Sequence, residues 1–238
     1  MLQAAPSGGL LESPTHCLPG AWTNRQGDSM VDNAVALQVQ GLGFSYPGCE
    51  VFDGFGMQLP AGLALVTGGE SRGKSTLLRL LAGDLAAQRG SVVLHGVDQQ
   101  RQPAAYAQQV FRADPRTTEL DALTARGWWQ GLPQQYPGWD AAALQAHVQG
   151  FSLQDHLDKP LYALSTGSKR KVLMAAALAS GAALTLIDEP VSGLDKPSVA
   201  YLAQALSAAA MAPGRVVLVA HYEPLSGALW GTVVDLGD

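Results

Sequence analysis

The chain has 238 residues, 47% hydrophobic and 15% charged, with a formal net charge of −5 at pH 7. That length suits one α/β domain with a sizeable core, or one domain plus a tail, and the acidic balance gives no general attraction to nucleic acid or to an anionic membrane surface. The two cysteines, Cys17 and Cys49, form no Cys-x-x-Cys pair, which argues against metal and thioredoxin-type sites and fits a reducing compartment.

Residues 1–33 are rich in Pro, Gly, Ser and Thr, show no apolar period and are predicted to be a disordered tail. They lack the basic start and long apolar run of a secretion signal. Met30, just before the folded part, is a candidate translation start. An alternating strand begins over 34–39, and a glycine-rich run leads on through Tyr46 and Pro47. A short apolar strand is expected at 63–66, then a glycine-rich turn and a helix over 75–81. Strands follow at 91–94 and 109–111. From about 115 to 180 the strand signal fades, and helices are expected over 121–130 and 140–148, with Pro133 and Pro137 between them. Strand–helix alternation then returns, with strands at 183–187 and 215–220 and a helix over 198–211. The pattern is a parallel-sheet α/β core with a helical insertion. The most apolar stretch, 172–187, is shorter than the ~20 residues a membrane helix needs. It is broken by Ser180 and Gly181 and runs into Asp188 and Glu189. Any membrane-spanning helices that this protein serves belong to a partner.

Gly68-Gly69-Glu70-Ser71-Arg72-Gly73-Lys74-Ser75 fits G-x-x-x-x-G-K-[ST], with Thr76 following. Small residues let the backbone curl so that its N–H groups point at phosphate oxygens, and the helix that starts near Gly73 adds its positive end. In such a loop Lys74 reaches the β- and γ-phosphates and Ser75 ligates Mg²⁺. The apolar strand at 183–187 ends in Asp188-Glu189-Pro190. Two carboxylates at a buried strand end are costly unless something there needs them. Beside a phosphate loop, Asp188 can serve the Mg²⁺ shell and Glu189 can orient and deprotonate the attacking water.

Leu164-Ser165-Thr166-Gly167-Ser168, followed by Lys169-Arg170-Lys171, resembles the LSGGQ signature of ATP-binding-cassette proteins and lies shortly before the acidic strand. Tyr46 in Phe44-Ser45-Tyr46-Pro47, Ser192-Gly193-Leu194-Asp195 and His221 stand in the order of that family's adenine-stacking aromatic, D-loop and switch histidine. The resemblance covers essentially everything after the tail. It implies a P-loop NTPase fold: a RecA-like parallel sheet with an N-terminal antiparallel β part and a helical subdomain at about 115–180. It also implies two cassettes closing head to tail around two ATP molecules. Ser165 and Gly167 then touch the γ-phosphate bound by Lys74 of the partner subunit. The partner cassette is a second copy or a related subunit. Val66-Thr67-Gly68 and Leu194-Asp195-Lys196 also resemble the ATPase of the cytochrome c maturation haem exporter.

The implied function is ATP hydrolysis with Mg²⁺, coupled to transport through separate integral-membrane subunits, with this chain peripheral on the cytoplasmic face and no nucleic acid as partner. The alternatives are a soluble cassette ATPase outside transport, or a regulatory ATP-binding module. The sequence departs from the family at several points. Ser71 stands where glycine is usual and is expected to keep a negative φ. Glu70 adds a carboxylate near the phosphates, which Arg72 can offset. Thr166 and Ser168 keep small polar groups at the signature. No Gln follows Phe111, where the family has its Q-loop residue; Arg112, Asp114 and Gln109 are the candidates for its place. Trp128, Trp129 and Trp139 either pack the small helical core or line a docking groove.

Overall fold

The computed structural model describes residues 23–26, by backbone, and 35–237. Five parallel strands form the main sheet: β4 (Gly62–Thr67), β7 (Val110–Ala113), β8 (Leu184–Asp188), β9 (Val216–Ala220) and β10 (Thr232–Asp235). Their order is β10-β4-β9-β8-β7, and β1 (Thr23–Gln26) adds an antiparallel edge beside β10. Four residues of the expected tail are thus strand; the rest of that expectation, and Met30, lie outside the described residues. Both faces of the sheet are covered, so β8 and β9 are buried at every position rather than at alternate ones. Alternate residues serve two cores. Leu65, Ile187, Val217 and Val219 join one, whereas Val66, Leu186, Leu218 and Ala220 join the other.

The second core lies between the main sheet, helix α1 (Lys74–Ala82) and an antiparallel sheet of order β3-β2-β5-β6. Its strands are β2 (Val35–Tyr46), β3 (Cys49–Pro60), β5 (Arg89–Leu94) and β6 (Val97–Asp98). The sequence reading missed β3. Phe55, Met57 and Leu59 alternate inward with period two, but Phe52 breaks the count because the strand is irregular around Asp53 and Gly54, whose φ is +70°. Cys49, the first residue of β3, is disulfide-bonded, against the reducing compartment that the cysteine pattern suggested; Cys17 lies outside the described residues.

A short helix α2 (Pro103–Ala107) leads into β7. Between β7 and β8 lie α3 (Ala125–Trp129), α4 (Leu132–Gln135), α5 (Ala141–Gly150) and α6 (Thr166–Ala179). The helix expected from 121 starts later, because the Thr124 hydroxyl accepts the Gly127 N–H at 3.0 Å and so caps it, with 121–124 in turns. Asp140 caps α5 in the same way through Ala143. Trp129 is buried in the core, while Trp128 and Trp139 pack partly buried against it. Among the described residues no helix is long and apolar enough to cross a membrane.

Helix α7 (Lys196–Ala210) joins the sheet to α5 through a polar contact. The Tyr201 ring lies where a side chain on Gly150 would stand, and its hydroxyl meets His147 Nδ1 at 2.8 Å. Burial pulls the imidazole down from 6.5 to about 4. A base depressed by folding binds its proton more readily in the unfolded chain. Its contribution is therefore complete above pH 6.5 and is lost as pH falls toward 4. After allowance for solvent screening this is worth on the order of 2 kcal/mol. Urea denaturation of His147→Gln is expected to show a flatter loss of stability between pH 7 and 4.5 than the unmodified chain; parallel curves would remove His147 as the cause.

Candidate functional site

Register places the site. Val66 on β4 is level with Ala220 on β9, Asp188 on β8 is also level with Ala220, and Ala113 on β7 is level with Ile187. The residues that follow these strands therefore gather at one edge of the sheet, the carboxyl-end edge where open α/β sheets bind ligands. They are the 68–76 loop, Glu189, His221 and Asp114.

The loop turns through Gly68, φ +142°, and Gly73, φ +88°, which directly precedes α1. A Cβ on Gly73 would meet Val51 at 2.6 Å, so the close approach of β3 requires glycine there. Ser71 has φ +62°, against the expectation of a negative angle. A left-handed serine costs about 1–2 kcal/mol that glycine avoids. Lys74 Nζ lies over the loop and donates to the carbonyls of Gly68 and Gly69, each at 2.8 Å. The Tyr46 hydroxyl meets Thr76 Oγ1 at 3.4 Å, and the ring stands edge-on to Phe44. The loop and the aromatic therefore adjoin. Glu70 and Arg72 belong to the same loop.

Asp188 is 7% exposed. It lies beside Ser75, and its Oδ1 is buried without a partner. Burial raises its proton affinity, the Ser75 hydroxyl and Arg116 oppose this, and Glu189 and Asp114 add to it. A buried carboxylate with one orphaned oxygen beside a serine hydroxyl suits a divalent cation. Among the described residues no group of three or more potential ligands holds a metal unaided. Mg²⁺ needs only one or two protein oxygens and completes its shell with water and substrate phosphates. Glu189 adopts φ +43°, strain of the kind that collects at functional sites. Two bonds fix it: its N–H donates to Ala220 O at 3.0 Å, and Oε2 meets His221 Nδ1 at 3.0 Å. His221 is 1% exposed, and its own N–H donates to Val66 O.

Ser165 and Gly167 form a separate element at the start of α6. The Ser165 hydroxyl caps the helix by accepting the Ser168 N–H at 3.1 Å. Gly167 is buried with its Cα against the carbonyl of Gly193, leaving no room for a side chain. The basic run after it is anchored, not solvated. Lys169 reaches Asp121 and the Thr117 carbonyl, Arg170 Nη1 donates to Ser192 O at 2.6 Å, and Lys171 pairs with Asp195 at 2.6 Å. Sequence reasoning gave these three cations no role, although the acids and carbonyls they bind lie in segments it had singled out. It also missed Arg116. Gln109 is excluded as a site residue, because it precedes β7 at the far end and its side chain donates to Ala105 O. Asp114 occupies the strand end instead.

The family model described as "ABC transporter" matches residues 52–192, more than half of the chain. The chain is 34% identical over 175 residues to the cytochrome c biogenesis ATP-binding export protein CcmA of Paramagnetospirillum magneticum, covering 72% of this chain and 81% of that one. It is 35% identical over 191 residues to the protein of the same name from Mesorhizobium japonicum, covering 79% and 92%. Among solved structures it resembles an ATP-binding subunit of an ABC transporter, with a TM-score of 0.68 at 22% identity over 78% of this chain and 79% of that one.

Proposed function

The chain belongs to the ABC transporter ATPase family, and from that premise we propose that it hydrolyses ATP as one of two paired cassettes that drive membrane subunits carried on other chains. The observation that carries this reading is the meeting of the 68–76 loop, Asp188, Glu189 and His221 at one sheet edge. Tyr46 stacks on adenine. The loop N–H groups and Lys74, released from the Gly68 and Gly69 carbonyls, hold the phosphates. Ser75 and Asp188 would hold Mg²⁺, which supplies neutralising charge to the phosphate oxygens when bound. Glu189 accepts a proton from the attacking water, and His221 fixes the orientation of its carboxylate. Ser165 and Gly167 face the γ-phosphate of the partner cassette. The anchors Gly167–Gly193, Arg170–Ser192 and Lys171–Asp195 tie this element to the loop that follows Glu189. Contact with one site is therefore mechanically linked to the acid of the other.

A cleft of about 650 Å³ opens between the β7 edge and the helical segment, lined by Phe111, Leu120, Trp128, Leu132 and Tyr136 among others. We place the membrane partner there, with the chain peripheral on the cytoplasmic side, where ATP is supplied. The relatives named for cytochrome c biogenesis support an exporter of that type. Purification of the tagged protein from detergent-solubilised membranes is expected to yield a stoichiometric integral-membrane partner and ATPase activity. Activity with only soluble companions would overturn the transport reading and leave a soluble ATPase.

A further inference from the structure

Arg112 lies in mid-strand on β7 with its side chain 19% exposed, and it is shared between two carboxylates. Its Nε pairs with Asp84 Oδ2 at 2.5 Å and its Nη1 with Asp114 Oδ2 at 2.9 Å. Asp84 follows the last turn of α1, the helix that begins with Lys74 and Ser75. Asp114 directly follows β7, whose last residue Ala113 is level with Ile187, the residue before Asp188. The other oxygen of Asp114 accepts the Arg116 N–H at 2.9 Å, so both its oxygens are engaged within their own loop. The charge of Asp114 still reaches Asp188, whose proton affinity it raises.

We propose that Arg112 is a positioning residue for nucleotide binding: it neutralises Asp114 and holds it back from Asp188, and so sets the negative charge that the phosphates of ATP and their Mg²⁺ meet. The proposal rests on the nucleotide site described above. Arg112 acts through Asp114 and does not touch the nucleotide. Without it, Asp114 keeps only the Arg116 N–H as a partner and loses the guanidinium that pairs with its other oxygen. Metal-free ATP, a tetra-anion, is then repelled, while Mg²⁺ is attracted.

The test is a fluorescence titration with mant-ATP, once in EDTA and once in Mg²⁺, with a circular dichroism melt of each variant. For Arg112→Gln the ratio of the two dissociation constants is expected to widen by about tenfold, as one uncompensated charge near a multiply charged ligand implies. Adding Asp114→Asn to Arg112→Gln is expected to return the ratio to within about twofold of the unmodified chain. Asp84→Asn, on a half-exposed side chain, leaves Arg112 wholly to Asp114 and moves the ratio the other way; it carries the test even if Arg112→Gln folds poorly. Equal weakening of both affinities, or no restoration by Asp114→Asn, would make Arg112 a structural residue and overturn the proposal. An unmodified chain that binds no mant-ATP would overturn the nucleotide site itself, and the proposal with it.

Discussion

Glu189→Gln is expected to lower ATP turnover by about 10²–10⁴-fold, the usual worth of a positioned general base, while nucleotide binding persists. The substitution isolates basicity. A glutamine oxygen can still accept from His221 Nδ1, whose partner Glu189 Oε2 is at 3.0 Å, and the backbone bond to Ala220 is untouched. The 68–76 loop, Ser75 and Asp188 keep their places, so the phosphates are held as before. Such a variant traps the step before hydrolysis, and paired cassettes are expected to accumulate with ATP on size-exclusion chromatography. Single-turnover hydrolysis of labelled ATP is the decisive measurement, because slow product release cannot mask it. A Glu189→Gln chain with ordinary turnover would remove Glu189 as the base and turn attention to His221, the buried group in contact with it.

The sheet edge was legible because its parts are local. A glycine-rich loop after an apolar strand, two acids at the end of another and a histidine after a third each mark a strand terminus. Parallel register then brings such termini together without further instruction. What escaped the sequence depends on contacts between distant segments. Strand β3 was hidden by an irregularity that breaks its period. The left-handed Ser71 was misjudged because the angle is set by the loop around it and not by its own preference. The basic run at 169–171 was given no role, because its partners Asp121, Ser192 and Asp195 come from either side of it in the chain. Asp114 could be placed only once β7 was in register with β8, since Gln109 is nearly as close in sequence but sits at the other end of the strand. Arg215 was read merely as the start of a strand.

Arg215→Met is expected to cost about 2–4 kcal/mol of folding stability. Arg215 is 7% exposed and directs its guanidinium at the end of α6, donating to Ala177 O at 2.9 Å, Leu178 O at 3.1 Å and the Thr185 hydroxyl at 3.0 Å. The last carbonyls of a helix have no partner of their own, and the packing around α6 leaves little access for water to supply one. Burial pulls the guanidinium down to about 10, so it remains charged at neutral pH and complements the negative end of the helix. Methionine fills the volume of the stem and abandons the acceptors: Ala177 O keeps the Ser180 hydroxyl as a donor at 2.7 Å, whereas Leu178 O loses the guanidinium. Each buried unsatisfied group costs about 1–3 kcal/mol, offset in part because a buried charge no longer has to be desolvated. The other end of the same helix carries Ser165 and the anchors to 192–195, so a loosened α6 is expected to weaken the pairing of two cassettes before it weakens ATP binding to one. Urea denaturation of Arg215→Met and Arg215→Lys tests both steps. Lysine restores the charge but has no planar fork to span the acceptors, and it is expected to recover less than half of the loss. A methionine variant within about 0.5 kcal/mol of the unmodified chain would mean that water or backbone movement satisfies those carbonyls, and that α6 is held by its packing alone.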